Sequence, residues 1–163
     1  EGVVLAHIST SRPCKEWSLE AWLRFAELAE GSGESVIFSS GPADREQDLL
    51  KKLERKFPGM QRLPHDLSVK DFMARLARAR LVVSMDTATL HLAAGLGKPT
   101  VGLFGPTDAA RWAPIGAGHR SLQGAFCICS GHLKECKAVS PCISAIEPKA
   151  VWELCQELLA EKR

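Results

Sequence analysis

Two clusters of polar residues in this chain have types and spacing suited to chemistry. The first is Ser9, Thr10 and Lys15, in the run H-I-S-T-S-R-P-C-K-E-W. The second is Asp86, Thr87 and His91, in the run S-M-D-T-A-T-L-H. Hydroxyls, an ammonium and free backbone amides are what a diphosphate needs around it. Asp86 and Thr87 stand where a strand gives way to a helix, so the amides of that helix start, Ala88 included, would face the same anion. His91 follows Thr87 by about one helical turn and shares its face. Each residue also has a plainer reading. The Lys15 loop is equally a solvated connection. Asp86 is equally an N-cap accepting from the amides of Ala88 or Thr89. His91 is equally a packed structural histidine. Asp44 and Glu46, at another helix start, could reach a ligand or simply complement the helix dipole.

A third cluster is sulfur. Cys127, Cys129, Cys136 and Cys142 fall within residues 124–146, a cysteine-rich loop that also holds His132. Four thiolates that close could hold zinc tetrahedrally, with His132 as an alternative ligand. The C-x-C spacing lacks the paired C-x-x-C knuckles of common zinc sites, so a disulfide or reduced thiols are the competing readings.

These residues need elements to position them. Apolar runs at 3–8, 35–38, 81–84 and 100–104 have the length and composition of buried strands, and 60–63 and 120–122 those of weaker ones. Between them, helical spacing runs from Ser18 to Gly31, over 44–57, from Ser68 to Arg80, over 87–95 and from Pro148 to Leu159. Ser18 and Ser68 suit N-caps, Thr107 can cap a short turn, and Pro148 suits a first turn. Strands alternating with helices imply βαβ units and a parallel sheet, that is, an α/β, Rossmann-like three-layer αβα architecture. Ligands of such sheets sit at the carboxyl ends of the strands, where both polar clusters fall. The loop 64–67, which includes His65, would form part of the same rim.

Length and charge narrow the classes. The chain has 163 residues, enough for one domain with a substantial core. Its formal net charge of +2 points to neither a nucleic-acid surface nor a polybasic membrane patch. No apolar run is long enough to span a membrane, and no signal peptide opens the chain. The first residue is Glu1 and a strand follows almost at once, so the chain is expected to be a domain cut from a longer protein. No G-x-G-x-x-G follows the first strand, which argues against a dehydrogenase.

The run S-M-D-T-A-T-L-H-L-A-A-G-L-G-K-P-T-V-G-L-F-G-P-T-D, followed by R-W-A-P, resembles the signature of the heptosyltransferase family of glycosyltransferases. H-I-S-T-S-R-P-C-K-E-W resembles that family's phosphate-binding loop. The likeness covers the carboxyl-terminal half of a family member, so the implied fold is the nucleotide-sugar-binding half of a GT-B enzyme. The resemblance implies that Lys15 binds the donor phosphates with Ser9 and Thr10. It implies that Asp86 contacts the donor sugar, that Thr87 and Ala88 donate to the diphosphate, and that His91 sits beside them. Lys15 and Asp86 are the implied catalytic pair, and Glu46 the implied ribose-binding acid. The family usually has Gly where Ala88 stands.

The implied activity is inverting, metal-independent transfer from a nucleoside-diphosphate sugar, ADP-heptose in the first instance, to a lipopolysaccharide-type acceptor. No cofactor and no nucleic acid are implied. The general base and the lipopolysaccharide core acceptor would belong to an amino-terminal domain, leaving this domain inactive alone. The implied place is the cytoplasm, at the periphery of the inner membrane for the full-length protein. A nucleotide-sugar epimerase of similar fold and a non-catalytic nucleotide- or metal-binding module are the alternatives.

Overall fold

A computed structural model describes residues 2–125, 127 and 141–161. Six strands, β1 (Val4–His7), β2 (Val36–Ser39), β3 (Gln61–Arg62), β4 (Leu81–Met85), β5 (Thr100–Phe104) and β6 (His119–Gln123), form one sheet. Their order is β3-β2-β1-β4-β5-β6 and every pairing is parallel. The helices are α1 (Leu19–Gly31), α2 (Asp44–Lys56), α3 (Val69–Arg78), α4 (Ala88–Gly95), the short α5 (Ala109–Trp112) and α6 (Pro148–Ala160). Single 3-10 turns occupy Pro13–Lys15 and Cys142–Ala145. None of these helices is long and apolar enough to cross a membrane.

Strands buried on both faces explain the near-continuous apolar runs. Alternate residues of β1 and β4 divide between two clusters. Val4, Ala6, Leu81 and Val83 pack under α1, α2 and α6, against Trp22, Phe25, Leu50, Leu53 and Trp152. Leu5 and Val82 pack on the opposite side against Leu76 of α3 and Ala93 of α4. The first core is strongly aromatic. Trp17 meets Trp22 edge-on at 5.0 Å, and Phe25 meets Trp152 edge-on at 5.6 Å, the geometry the ring quadrupoles favour.

The caps follow the side-chain chemistry. The hydroxyls of Ser18 and Ser68 accept from the amides of Ala21 and Asp71. Gly97 lets α4 end in a left-handed turn at φ 70°, where the Lys98 amide bonds back to Ala93 O. Two expectations are corrected. The N-cap of α4 is Thr87, not Asp86, whose carboxylate is drawn away by a cation described below. The short turn after β5 is capped by Asp108, which accepts from the Ala110 amide, and not by Thr107. Several boundaries also move: β1 loses a residue at each end, β3 shrinks to two exposed residues at the sheet edge, and α3 stops at Arg78.

The sheet order places a topological switch point between β1 and β4. The first strand lies at the centre, one connection series runs outward through β2 to β3, and the other runs through β4 and β5 to β6. The loops leaving β1 and β4 therefore turn in opposite directions and open a crevice between them. The far side of that crevice depends on close packing at Gly124. A Cβ there would lie 2.3 Å from Cys142 O and 3.1 Å from Ile143 Cα, both backbone atoms. The Ala125 amide also donates to Cys142 O at 2.9 Å. Gly124→Ala should force these segments apart and destabilise the protein by about 2 kcal/mol, read as a lower urea midpoint with unchanged slope. An unchanged midpoint would show that the segment yields at no cost.

Candidate active site

The loop after β1 is built around two residues the sequence reading did not single out. Glu16 accepts from the Thr10 amide at 3.1 Å with one carboxylate oxygen and from Arg45 Nη1 at 2.9 Å with the other. Arg45, on α2, also donates to Thr10 O. The Glu16 carboxylate raises the Arg45 pKa further, against the opposing effect of burial. Within the loop, Thr10 Oγ1 accepts from the Arg12 amide at 3.0 Å and donates to Arg12 O. Pro13 then opens the 3-10 turn that ends at Lys15. The loop is thus fastened at both ends, and Lys15 leaves it toward β4.

Lys15 Nζ donates to Asp86 Oδ2 at 2.6 Å, across 71 positions of sequence. Both side chains are mostly buried, at 16 % and 12 % exposure. The other carboxylate oxygen of Asp86 faces His91 Nε2 at 3.4 Å. Burial pushes the Asp86 pKa up. The hydrogen bond and charge of Lys15, the nearby Thr107 hydroxyl and the His91 contact more than offset that and hold it below the usual carboxylate range. The Thr107 hydroxyl is near enough to Asp86 for that influence, yet it completes no hydrogen bond of good geometry among the described residues. Asp86 is therefore a charged hub joining the β1 loop, α4 and the segment after β5.

At the start of α4, Thr87 makes no side-chain cap; its hydroxyl lies 3.0 Å from Ser84 Oγ instead. Asp86 N donates to Leu103 O at 3.2 Å, which fixes the turn. The first-turn amides of α4 are left facing outward with the positive end of the helix dipole behind them. Thr87 and Ala88, at this helix start, line a cleft of about 1050 Å³. It is lined by Arg12, Lys15, Asp86, Thr87, Ala88 and His91, together with residues 105–108, Arg111, Trp112, residues 123–125 and Cys127.

Five of the residues singled out in the sequence, Lys15, Asp86, Thr87, Ala88 and His91, line this one cleft. Ser9, Thr10 and Glu46 do not line it. Ser9 is fully buried, donating to Glu46 Oε1 at 3.0 Å and accepting from the Gly41 amide at 2.8 Å. Glu46 is itself buried and lies where a side chain at Gly41 would otherwise project. These three brace the loop from behind. His65 is exposed and away from the cleft. Arg12, Thr107, Arg111, Trp112 and Gln123 join the cleft without having been named as site residues. For those on residues 105–112 a signal was available, since that segment leaves the carboxyl end of a sheet strand as the other two do.

Of the sulfur cluster, Cys127 lines the cleft and Cys142 is buried. Cys129, Cys136 and His132 lie outside the described residues. Cys14, Cys127, Cys142 and Cys155 form no disulfide among the described residues. No group of three or more potential metal ligands occurs among them either.

The cleft can hold an elongated anion. It offers an ammonium, the helix start at Ala88 and, beside them, a carboxylate and an imidazole able to take sugar hydroxyls. Residues 1–139 match glycosyltransferase family 9 (heptosyltransferase). Lipopolysaccharide heptosyltransferase 1 of Escherichia coli K12 is 35 % identical over 108 residues, which cover 66 % of this chain and 33 % of that protein. The structure of the E. coli heptosyltransferase WaaC with ADP superposes with a TM-score of 0.77 at 26 % identity, over 96 % of this chain and 44 % of that one. E. coli ADP-heptose lps heptosyltransferase II shares the fold at a TM-score of 0.82 and 16 % identity, over 99 % and 47 %. The chain thus spans between a third and a half of the length of these relatives, and its sheet corresponds to one half of a GT-B enzyme. By its sequence and its fold, the chain belongs to glycosyltransferase family 9, the heptosyltransferases.

Proposed function

We propose that this chain is the donor-binding domain of a glycosyltransferase that uses a nucleoside-diphosphate sugar, ADP-heptose first among candidates, and a lipopolysaccharide-type acceptor. The observation that carries the reading is the meeting of Lys15, from the loop after β1, with the Asp86–Thr87 turn after β4 at the switch point of the sheet. In this reading Lys15 Nζ and the amides of Ala88 and Thr89 take the diphosphate. Asp86 and His91 take hydroxyls of the donor sugar. Ser9, Thr10 and Glu46 act indirectly, by holding the loop that carries Lys15.

The chemistry follows from those positions. An acceptor oxygen forms a bond to the anomeric carbon as the bond from that carbon to the β-phosphate oxygen breaks. The electron pair leaves with the nucleoside diphosphate, and the acceptor proton passes to a base supplied by the amino-terminal half of the full-length protein. Negative charge grows on the leaving phosphate, and fixed donors aimed there stabilise it without reorganising. Lys15 and the helix-start amides are such donors. Asp86, held in its charged form, is placed to offset positive charge developing on the sugar ring.

The reading is tested by calorimetric titration of this chain with ADP-heptose and, separately, with UDP-glucose. ADP-heptose should bind at least tenfold more tightly; equal affinities would remove the donor assignment. Asp86→Asn separates the two parts of the site. It should leave ADP affinity within about threefold, because the phosphate donors remain. It should weaken ADP-heptose by about tenfold, the size of a lost charge-assisted hydrogen bond. A parallel loss for both ligands would place Asp86 at the phosphates instead.

A further inference from the structure

Thr107 lines the cleft, and its hydroxyl oxygen is buried without a hydrogen-bond partner among the described residues. Beside it stands a carboxylate with room for another donor. We propose that Thr107 is a positioning residue for Asp86: when a diphosphate entering the cleft draws Lys15 toward itself, the Asp86 carboxylate turns from the ammonium to the Thr107 hydroxyl. The proposal rests on the phosphate-binding role given to Lys15 above.

A buried hydroxyl without a partner is uncommon and lowers stability. The other such atom among the described residues, Trp22 Nε1, lies deep in the core among the rings of Trp17, Phe25 and Phe38. Thr107 differs because an under-used acceptor stands next to it. Asp86 Oδ2 receives Lys15 Nζ at 2.6 Å, whereas Oδ1 meets His91 Nε2 at 3.4 Å, long for a hydrogen bond. A carboxylate has more acceptor sites than these two contacts fill. The Thr107 hydroxyl is near enough to help hold the Asp86 pKa down. Donor and acceptor are thus neighbours, and the pull of Lys15 on the carboxylate keeps them from pairing.

The backbone on both sides of Thr107 is pinned. Gln123, at the end of β6, accepts from the Ala109 amide at 2.8 Å and donates to Phe104 O at 3.2 Å and Gly105 O at 2.8 Å. One side chain thereby ties α5 to the end of β5, and the Asp108 cap fixes the first turn of α5. Gly105 packs closely too, since a Cβ there would lie 2.9 Å from Ile143 Cβ. Thr107 therefore stays in place, and the carboxylate is the partner that moves. The Asp86 backbone is tied to Leu103 O, but its side chain can turn. A diphosphate competes with that carboxylate for the Lys15 ammonium. Without a second donor, Asp86 would be left half-buried and short of partners, which opposes binding. The Thr107 hydroxyl meets that need and keeps Asp86 ionised in one orientation.

Calorimetric titration with inorganic pyrophosphate and with ADP, paired with urea denaturation of the ligand-free chain, tests the exchange. In Thr107→Val the ligand-free midpoint should stay or rise, because the hydroxyl bonds to nothing there. Affinity for both ligands should fall about tenfold, the size of a lost hydrogen bond to a charged group, and Thr107→Ser should recover most of it. Asp86→Asn should rescue Thr107→Val and bring the double variant within about threefold of wild type, because a neutral side chain no longer competes for Lys15. A hydroxyl serving local structure alone would lower the midpoint of Thr107→Val and leave both affinities unchanged, which would overturn the proposal. So would a loss of affinity that Asp86→Asn fails to rescue, since the hydroxyl would then act on the ligand itself. Absence of pyrophosphate binding by wild type would remove both the exchange and the phosphate role of Lys15. If ADP-heptose and UDP-glucose bound equally while pyrophosphate gave the expected pattern, the donor assignment would fall and the exchange would stand.

Discussion

Lys15→Ala is expected to weaken ADP binding by about 30-fold, within the range measured for a hydrogen bond to a charged group, while changing AMP binding much less. The reason is placement. Lys15 Nζ spends one donor on Asp86 at 2.6 Å and has two more to direct into the cleft. Because the ammonium is 16 % exposed, its field is less screened than that of a surface lysine. The truncation also strands Asp86, whose carboxylate would lose its main counter-charge and whose pKa should rise. Some loss of thermal stability is therefore expected in Lys15→Ala. Lys15→Gln separates the effects, since it can still donate to Asp86 but carries no charge. It should recover part of the stability and little of the ADP affinity. Isothermal titration with ADP and AMP on both variants measures this. ADP affinity unchanged in both would remove Lys15 from the phosphate site.

The second large effect is acid sensitivity centred on His7. This residue ends β1, is buried, and lies between Ser39, whose hydroxyl is 3.0 Å from Nδ1, and the ring of Phe72 at 6.0 Å. No carboxylate contacts it in these interactions, and burial pushes its pKa from 6.5 down to about 4. The unfolded chain takes up a proton as pH falls through about 6.5, and the folded protein refuses it until about 4. Stability is therefore fully present above the unfolded pKa and is lost as pH falls through that window, by about 3 kcal/mol in total. Asp86 and Glu20, whose folded pKa values are lowered, lose stabilisation at more acid pH still. The comparison is thus made between wild type and His7→Gln, by urea denaturation at pH 7.5 and 4.5. The variant should lose less stability over that interval, by about 2 kcal/mol or more. Identical losses would show that His7 accepts its proton in the folded state.

What was legible in the sequence was what is local. The unit from β4 through α4 to β5 could be read directly, because apolar runs, a turn and glycine punctuation lie next to one another along residues 81–104. The parallel sheet followed from strands and helices alternating along the chain. The roles of single polar residues were legible only where tertiary packing leaves them alone. Asp86 has the right chemistry for an N-cap, and whether it caps α4 depends on a lysine 71 positions earlier. Ser9 and Glu46 have the right types for ligand binding, but the Gly41 amide and their mutual hydrogen bond engage both. Nothing in the run containing Gln123 announces that its side chain will pin α5, because that role requires β6 to lie beside β5. Spacing proposes candidates, and competition among buried partners decides between them.

The central claim is that a diphosphate sits where the loop after β1 and the start of α4 come together. Amide chemical-shift mapping of the isotopically labelled chain during titration with ADP tests it most directly. The largest perturbations are expected at Lys15, Thr87, Ala88 and Thr89, and inorganic pyrophosphate should reproduce those at Ala88 and Thr89. Perturbations confined to another face of the sheet, with the amides of Ala88 and Thr89 unmoved at saturation, would contradict it.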